Sequence, residues 1–234
     1  MLVLGMDTAT RTASIGLVEE NRIVGEFSLQ VDRVHSKKLM PMVDQLLEAA
    51  GVEATQIEAI AVSAGPGSFT GLRIGMATAK GLAYALSVPL TGVSTLAGLC
   101  YNCIPADALL CPILDARMSE FYTALYRWEN EQLVPVIEDS VMRREKLIQM
   151  LAGEEGPKIV VADQALESNL NLNEAFSGSI LYAPPHQALP RGVSIALLGY
   201  KQIENGAGDS LLSLQPAYLR RSQAEILYGQ KGRA

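Results

Sequence analysis

A glycine-rich segment, GPGSFTG at positions 65–71, lies between an apolar run at 60–62 and a stretch of small and apolar residues at 72–86. The apolar run favours a strand and the following stretch favours a helix, so the sequence predicts a strand, a tight turn and a helix. This order is typical of α/β proteins, where free N–H groups of such a turn can hold an anion. In the alternative interpretation the glycines only make a tight turn, and Ser68 or Thr70 caps a close-packed helix.

Composition narrows the class of protein. The chain has 234 residues, 49% of them hydrophobic and 19% charged, enough for one large or two small globular domains. The 19 Lys and Arg against 25 Asp and Glu give a net charge of −6, which opposes unassisted binding to nucleic acid. No apolar stretch approaches the roughly 20 residues that span a bilayer, and the sequence at Met1 does not resemble a secretion signal. We therefore expect a cytoplasmic protein.

Apolar periodicity divides the first part of the chain into a three-stranded antiparallel meander and an alternation of helices and strands. The predicted strands cover residues 2–6, 13–18, 22–29, 57–63 and 89–93, and the predicted helices cover residues 35–50, 70–87 and 94–103. This alternation predicts an α/β layer.

The second half begins like the first. Asp115 lies in a polar turn between predicted strands at 109–114 and 121–128, as Asp7 lies between the first two strands. A weak internal repeat is therefore predicted, with an N-terminal α/β lobe at residues 1–104 and a C-terminal α/β lobe at 105–234 whose tail packs back on the first lobe. Strands at 133–137 and 158–162, helices at 143–152 and 194–205, and a loose region at 168–190 complete the second, shortened lobe.

The glycine segment departs from the common nucleotide and hydrolase motifs. Its spacing is GxGxxxG rather than GxGxxG, and no acidic residue follows about 20 positions later, so NAD binding is not expected. Leu72 and Arg73 follow Gly71 where a Walker loop needs Lys and then Ser or Thr. No GxSxG elbow surrounds Ser68 or Ser94, which leaves serine hydrolysis without local support.

Histidine and cysteine give little support for a metal or redox site. His35 and His186 are far apart in sequence, so no histidine pair is spaced to bind a metal on one helix face. Cys100 and Cys103 form a CxxC pair, but together with Cys111 they are expected to be reduced thiols. A redox or metal role for the pair is the less favoured alternative.

Asp7, Thr8 and Thr10 form a polar turn with two interpretations. A carboxylate at a strand end beside two hydroxyls can hold a metal ion and phosphates between the strands of a hairpin. A solvated turn, in which Asp7 and Thr10 bond to nearby backbone, explains the same residues. The sequence leaves both open.

The helices at 35–50 and 70–87 carry more apolar surface than one core contact needs, so we predict that they contact another subunit. Small residues recur every four positions in the second helix and would let another helix come close, although packing on a neighbouring helix or sheet of the same chain is the favoured explanation for one face. Under the first interpretation, a bulky residue at Gly75 or Ala79 blocks the partner and leaves the monomer folded. The predicted contact residues are Leu39, Met40, Val43, Leu47, Gly71, Leu72, Gly75, Met76, Ala79 and Ala83.

Five segments, in order along nearly the whole chain, resemble the bacterial TsaB family, formerly called YeaZ. They are MDTAT at 6–10, HSKKLMP at 35–41, AGPGSFTGLRIGMATAKG at 64–81, LDAR at 114–117 and PAYLR at 216–220. The resemblance implies the α/β fold of actin, hexokinase and Hsp70 (the ASKHA fold), with two similar lobes. It puts Asp7, Thr8 and Thr10 in the place of the first phosphate loop and Asp115 in that of the second, as vestigial cofactor-binding positions.

The resemblance also implies a role in forming N6-threonylcarbamoyladenosine at position 37 of tRNAs that read ANN codons. In the family this subunit is a partner of the related catalytic subunit TsaD, and the ATPase TsaE completes the assembly. The catalytic relative has a metal-binding histidine pair, whereas here His35 is followed by Ser36, Lys37 and Lys38. We therefore expect a non-catalytic scaffold that activates TsaD, forms a homodimer when alone and reaches tRNA through the complex.

No tightly bound nucleotide is expected in this chain alone, because both polar turns lack glycine, and ATP or ADP would bind at the subunit junction of the complex. Two enzyme classes stay as alternatives: a phosphotransferase of the same fold that holds Mg²⁺ with Asp7 or Asp115, and a peptidase acting on a partner. Arg220 and Arg221 are candidate tRNA contacts, whereas Arg191 is expected to be a solvated surface charge.

Overall fold

The computed structural model describes residues 1–20, 22–30, 35–103, 107–176 and 180–220, and these form two five-stranded sheets with helices on their faces. The strands are β1 (Leu2–Asp7), β2 (Thr12–Glu19), β3 (Arg22–Gln30), β4 (Ala59–Gly65), β5 (Leu90–Ser94), β6 (Leu109–Arg117), β7 (Glu120–Glu129), β8 (Gln132–Arg143), β9 (Lys158–Val161) and β10 (Ile180–Tyr182). The helices are α1 (His35–Ala50), α2 (Phe69–Leu86), α3 (Thr95–Cys100), α4 (Arg144–Ala152), α5 (Gln164–Leu170), α6 (Leu172–Ala175) and α7 (Gly192–Glu204), with a 3₁₀ turn at Ala54–Gln56.

The two sheets share one topology. The first has the order β3-β2-β1-β4-β5, with β1, β2 and β3 antiparallel and β1, β4 and β5 parallel. The second has the order β10-β9-β6-β7-β8, with the same division into an antiparallel and a parallel part. The predicted meander and internal repeat are therefore confirmed: Asp7 ends β1, and Asp115 lies two residues before the end of β6, the corresponding strand.

Side-chain alternation along the first sheet explains its packing. In β1, Leu4 and Met6 point into the core beneath α1 and α2, whereas Val3 points into a second core beneath α7. Successive residues of a strand face opposite sides, so a strand buried on both faces reads as a continuous apolar run. This is the pattern of residues 2–6.

Helix α7 lies against the first sheet, although it comes late in the chain. Its backbone is so close that a Cβ added at Gly5 would lie 2.2 Å from the Gly192 carbonyl oxygen, and one at Gly16 would lie 2.3 Å from the Val193 nitrogen. Only glycine permits this approach. The division at residues 104 and 105 stays a prediction, and α7 packs with the first lobe.

The predicted loose region at 168–190 is partly wrong. It contains the end of α5, all of α6 and the edge strand β10, which pairs with β9. Short elements rich in Asn and Ser give too little periodic signal to be recognised in sequence. The helices of the second lobe are shorter than α1 and α2, and no helix in the described ranges is both long and apolar enough to cross a membrane.

Candidate functional site

The β1–β2 turn is a buried turn and not a solvated one. Asp7 and Thr8 are 1% and 0% exposed. One carboxylate oxygen of Asp7 accepts a hydrogen bond from the Ala9 N–H at 2.8 Å, and Ser63 also hydrogen-bonds to this carboxylate. Burial raises the pKa of Asp7 to about 6, and these hydrogen bonds only partly offset it.

The glycine segment packs directly on this turn. A Cβ added at Gly67 would lie 2.5 Å from the Ala9 carbonyl oxygen, and one at Gly71 would lie 2.0 Å from the Thr8 carbonyl oxygen. The Thr8 hydroxyl donates to the Gly71 carbonyl at 2.8 Å. Close approach of two backbones therefore explains the glycines, in agreement with the tight-turn interpretation.

Several backbone N–H groups of the β1–β2 turn and the glycine segment are engaged within the chain. Ser68 donates its N–H to the Ala9 carbonyl at 2.7 Å, and its side chain caps α2 by accepting from the Gly71 N–H. Thr10 accepts from the Thr12 N–H at 3.1 Å. Anion binding at such turns needs free N–H groups. The N–H groups of Ser68, Gly71 and Thr12 therefore already have partners within the chain.

The β6–β7 turn is more exposed and has an unusual backbone. Arg117, Met118 and Ser119 have φ of 64°, 54° and 60°, three consecutive left-handed residues without glycine. Such residues each cost of order 1 kcal/mol, so neighbouring contacts must hold the turn. Asp115 is exposed, and its carboxylate accepts from the Arg117 N–H at 2.7 Å. The Asp115 carboxylate therefore stabilises the turn itself.

Residues 216–220, here called the bridging segment, connect the two turns. The Ala217 N–H donates to the Ala64 carbonyl at 2.7 Å, beside the first turn. At the other end, Arg220 donates to the carbonyl oxygens of Ala116 and Arg117 and pairs with Glu120 at 3.4 Å. The segment therefore contacts both lobes, at the end of β4 and at the β6–β7 turn.

A cation–aromatic stack holds the middle of the bridging segment. The Tyr218 ring lies on Phe69 with a centroid separation of 4.5 Å, and the Arg73 guanidinium lies 3.9 Å from the centroid of the Phe69 ring. Arg73 also donates to the Tyr218 hydroxyl at 3.0 Å. These contacts join the start of α2 to the C-terminal part of the chain, and the PAYLR motif gave the only sequence signal for them.

Arg191 and Arg220 both form contacts within the chain. Arg191 forms an ion pair with Glu26, with an N–O distance of 2.5 Å, and so joins the start of α7 to β3. The expectation of a solvated charge is wrong because the glycine contacts of α7 bring Arg191 onto the sheet. Arg220 is held by its own chain, and Arg221 lies outside the described residues.

The predicted partner contacts on α1 and α2 need correction, because nine of the ten residues are buried in the chain itself. A Cβ at Gly75 would lie 2.3 Å from the Thr8 hydroxyl oxygen, which shows that the small-residue row faces β1 and β4. A bulky residue at Gly75 or Ala79 should therefore disturb the monomer. The buried residues are Leu39, Val43, Leu47, Gly71, Leu72, Gly75, Met76, Ala79 and Ala83, while Met40 is 38% exposed.

A second row of small residues on α2 faces outward and was missed. Ala77, Gly81 and Ala85 are exposed, a Cβ added at Gly81 meets no atom within 4 Å, and Tyr84 beside them is 78% exposed. Both rows have the same period, so the sequence could not tell which of them faces the core.

The cysteine thiols and the acidic and histidine side chains are the remaining candidates for redox or metal chemistry. Cys100, Cys103 and Cys111 are free and buried, and burial raises the pKa of Cys103 to about 11 and that of Cys111 to about 12. Thiols of this kind are poor nucleophiles at neutral pH. No group of three His, Cys, Asp or Glu side chains within the described ranges is placed to hold a metal ion.

Comparison with known proteins places the chain in a family. The family model for TsaD, tRNA N6-adenosine threonylcarbamoyltransferase, matches residues 28–187. The tRNA threonylcarbamoyladenosine biosynthesis protein TsaB of Bacillus subtilis is 32% identical, over 96% of each chain. TsaB of Escherichia coli is 30% identical, also over 96% of each chain.

The chain belongs to the TsaB family.

Structural relatives agree with this assignment. The crystal structure of a Pseudomonas aeruginosa protein, described as similar to the peptidase YeaZ, has a TM-score of 0.80 and 28% identity, covering 94% of this chain and 99% of that one. A ROK hexokinase from Thermus thermophilus has a TM-score of 0.50 at 10% identity, covering 88% of this chain and 100% of the hexokinase. This similarity confirms the predicted ASKHA fold.

Proposed function

We propose that this chain is a non-catalytic subunit in the formation of N6-threonylcarbamoyladenosine at position 37 of tRNA, and that it scaffolds and activates TsaD. The observation that carries the proposal is the match to TsaB proteins over 96% of the chain. A 145-residue match at 34% identity to the tRNA N6-adenosine threonylcarbamoyltransferase of Nitratidesulfovibrio vulgaris, which covers 56% of this chain and 40% of that enzyme, supports a related catalytic partner.

The geometry of the turns supports a non-catalytic role. In the described part of the chain, the first turn presents engaged N–H groups, and the bridging segment contacts both lobes. A phosphotransferase would need these groups to bind nucleotide and metal. We therefore propose that the chain alone binds no nucleotide tightly, and that ATP or ADP binds at the junction with TsaD. The cysteine thiols are buried and have raised pKa values, so they do not support the peptidase alternative.

The outward face of α2 and Met40 of α1 supply the proposed contact with TsaD, or with a second copy of this chain when TsaD is absent. Ala77, Gly81 and Ala85 would allow a partner helix to approach closely, and Tyr84 and Met40 would give it apolar area. A specific contact of about 800 Å² per side would suffice. TsaE would join the same cytoplasmic assembly.

Reconstitution tests the proposal. TsaD and TsaE are incubated with threonylcarbamoyl-adenylate and unmodified tRNA, with and without this chain, and modified adenosine is measured. We expect modification to depend on the chain. Modification at the same rate without it would exclude the activating role, and tight stoichiometric binding of MgATP to the isolated chain, measured by calorimetry, would favour the phosphotransferase alternative.

A substitution on the outward face tests the interface. Ala77→Glu places a charge on the proposed contact and should abolish co-purification with TsaD. Ala152→Glu, the same substitution at an exposed residue that ends α4 in the other lobe, is the matched control and should co-purify like wild type. Equal co-purification of both variants would show that α2 is not the contact.

A further inference from the structure

Most exposed cations of the first lobe lie at one end of its sheet, whereas Arg22 lies at the other end, paired with Glu19. β1 and β4 both finish at one end, and α2 begins there directly after β4, so Arg11 and Arg73 lie at this end. β3 also finishes there, since Gln30 pairs with Thr12, and α1 begins five residues later. Lys37 and Lys38, in the first turn of α1, are therefore at the same end.

Carboxylates occupy the opposite end. Leu2 and Glu19 pair where β1 begins, the Glu58 carboxylate accepts from the Leu2 N–H at 2.7 Å, and α1 ends at that side. Among the described residues of the first lobe, the remaining exposed carboxylate is Asp44, halfway along α1. The exposed carboxylates at this end are Glu19, Glu20, Glu48, Glu53 and Glu58.

The second lobe adds a cation to the basic end. Arg220, two residues after the Tyr218 that contacts Arg73, donates to the Arg117 carbonyl and so brings the β6–β7 turn to this side of the molecule. The Arg117 side chain is exposed, while Asp115 beside it accepts from the Arg117 N–H. We call this surface the cationic rim, and its residues are Arg11, Lys37, Lys38, Arg73 and Arg117.

We propose that the cationic rim binds the phosphate backbone of tRNA directly; the choice of tRNA rests on the proposed function. In a chain of net charge −6, five exposed cations at one end give a local positive potential, and the carboxylates at the other end orient the molecule toward a polyanion. The rim does not present a helix to a nucleic-acid groove, as proteins that read base edges do. It therefore recognises the charge of the phosphates and not the base sequence.

Tyr218 favours RNA with unpaired bases over duplex. It is 42% exposed although one face of its ring lies on Phe69, and it stands between Arg73 and the exposed turn of Arg117. An exposed aromatic ring next to arginines offers a stacking surface for a splayed base of a single-stranded loop. The rim therefore suits a loop of tRNA, whose phosphates and bases are both accessible.

A charge-matched pair of variants tests this proposal. The rim variant combines Arg11→Gln, Lys37→Gln and Arg117→Gln, and leaves Arg73 in place because it packs on Phe69. The control combines Arg22→Gln, Arg127→Gln and Lys158→Gln, at the opposite ends of the sheets. Each variant loses three positive charges, so a difference between them reports position and not net charge.

Binding of an unmodified tRNA transcript is measured by fluorescence anisotropy over a series of salt concentrations, with each variant in complex with TsaD and alone. For the rim variant we expect an affinity about ten- to a hundred-fold lower than wild type at low salt. The slope of log K against log salt concentration should be shallower by about 2 to 3, because each phosphate contact contributes about 0.7 to 0.9 to that slope. The control should match wild type in both quantities.

Co-purification with TsaD distinguishes this inference from the proposed function. If wild type fails to form the complex, the proposed function fails, and the titrations of the isolated chain still decide whether the rim binds RNA. Equal tRNA affinities and salt slopes for the rim and control variants would overturn the inference. Loss of TsaD or TsaE binding by the rim variant with unchanged tRNA affinity would also overturn it, since the rim would then contact protein.

Discussion

Asp7 is a buried carboxylate whose hydrogen bonds lie within its own turn and the neighbouring strand. Its carboxyl group is 1% exposed and its pKa is raised to about 6, chiefly by burial. A carboxylate that holds a metal needs access to it, whereas this one bonds to Ala9 and Ser63 of its own chain. The side chain therefore serves the turn and costs stability when it ionises.

Asp7→Asn should stabilise the protein at neutral pH. A folded-state pKa above the unfolded value of 3.8 favours folding at low pH, and this contribution is lost as pH rises through about 6. Asn stays neutral and can still accept from the Ala9 N–H. We expect the variant to gain about 1–3 kcal/mol at about pH 7.5 and nothing at about pH 4. Urea unfolding at both pH values measures this, and an equal effect at both would contradict the assigned cause.

Gly71 and Gly81 lie on the same helix and should respond oppositely to alanine. A Cβ at Gly71 would clash with the Thr8 carbonyl oxygen at 2.0 Å, so Gly71→Ala should cost about 2 kcal/mol or more. Gly81 has open space around it and sits in the interior of α2, so Gly81→Ala should add about 1 kcal/mol through helix propensity. Thermal unfolding of both variants checks this, and a neutral Gly71→Ala would refute the close-packed turn.

At the scale of elements, apolar periodicity predicted the long helices and both meanders, because a period of 3.6 or 2 is a local property. It could not assign the faces of α2, where the row with Gly75 and the row with Gly81 have the same spacing. It also could not place the bridging segment, since the contact of Ala64 with Ala217 joins residues 153 positions apart. Only the fold brings such residues together.

The bridging segment should be held mainly by Arg220. This side chain is 19% exposed, pairs with Glu120 and donates to two carbonyls of a turn with left-handed residues. Arg220→Gln should therefore cost about 1–3 kcal/mol. Arg22→Gln, which breaks the exposed pair with Glu19, should cost no more than about 0.5 kcal/mol. Denaturant unfolding compares the two, and equal effects would mean that Arg220 is a solvated charge.

At the scale of the whole molecule, the lobes are joined by a half-buried polar cluster in addition to the bridging segment. The Ser94 hydroxyl, at the end of β5, donates to one oxygen of Asp139 at 2.6 Å, and the Tyr126 hydroxyl donates to the other at 2.7 Å. Burial raises the pKa of Asp139, and these two donors counteract it. The first lobe thus contributes a hydrogen bond to a carboxylate of the second.

Tyr126→Phe should weaken the whole molecule in a pH-dependent way. Losing one donor leaves the ionised Asp139 carboxylate less satisfied, which costs about 1–3 kcal/mol and raises its folded-state pKa further. Because a raised folded-state pKa favours folding only at low pH, the loss of stability should be larger at about pH 8 than at about pH 5.

Urea unfolding is followed by the fluorescence of Trp128, the single tryptophan, in the second lobe, and by circular dichroism of both lobes. Since the cluster spans the lobes, both signals should shift together, and a shift of the Trp128 transition alone would show that Asp139 stabilises only its own lobe.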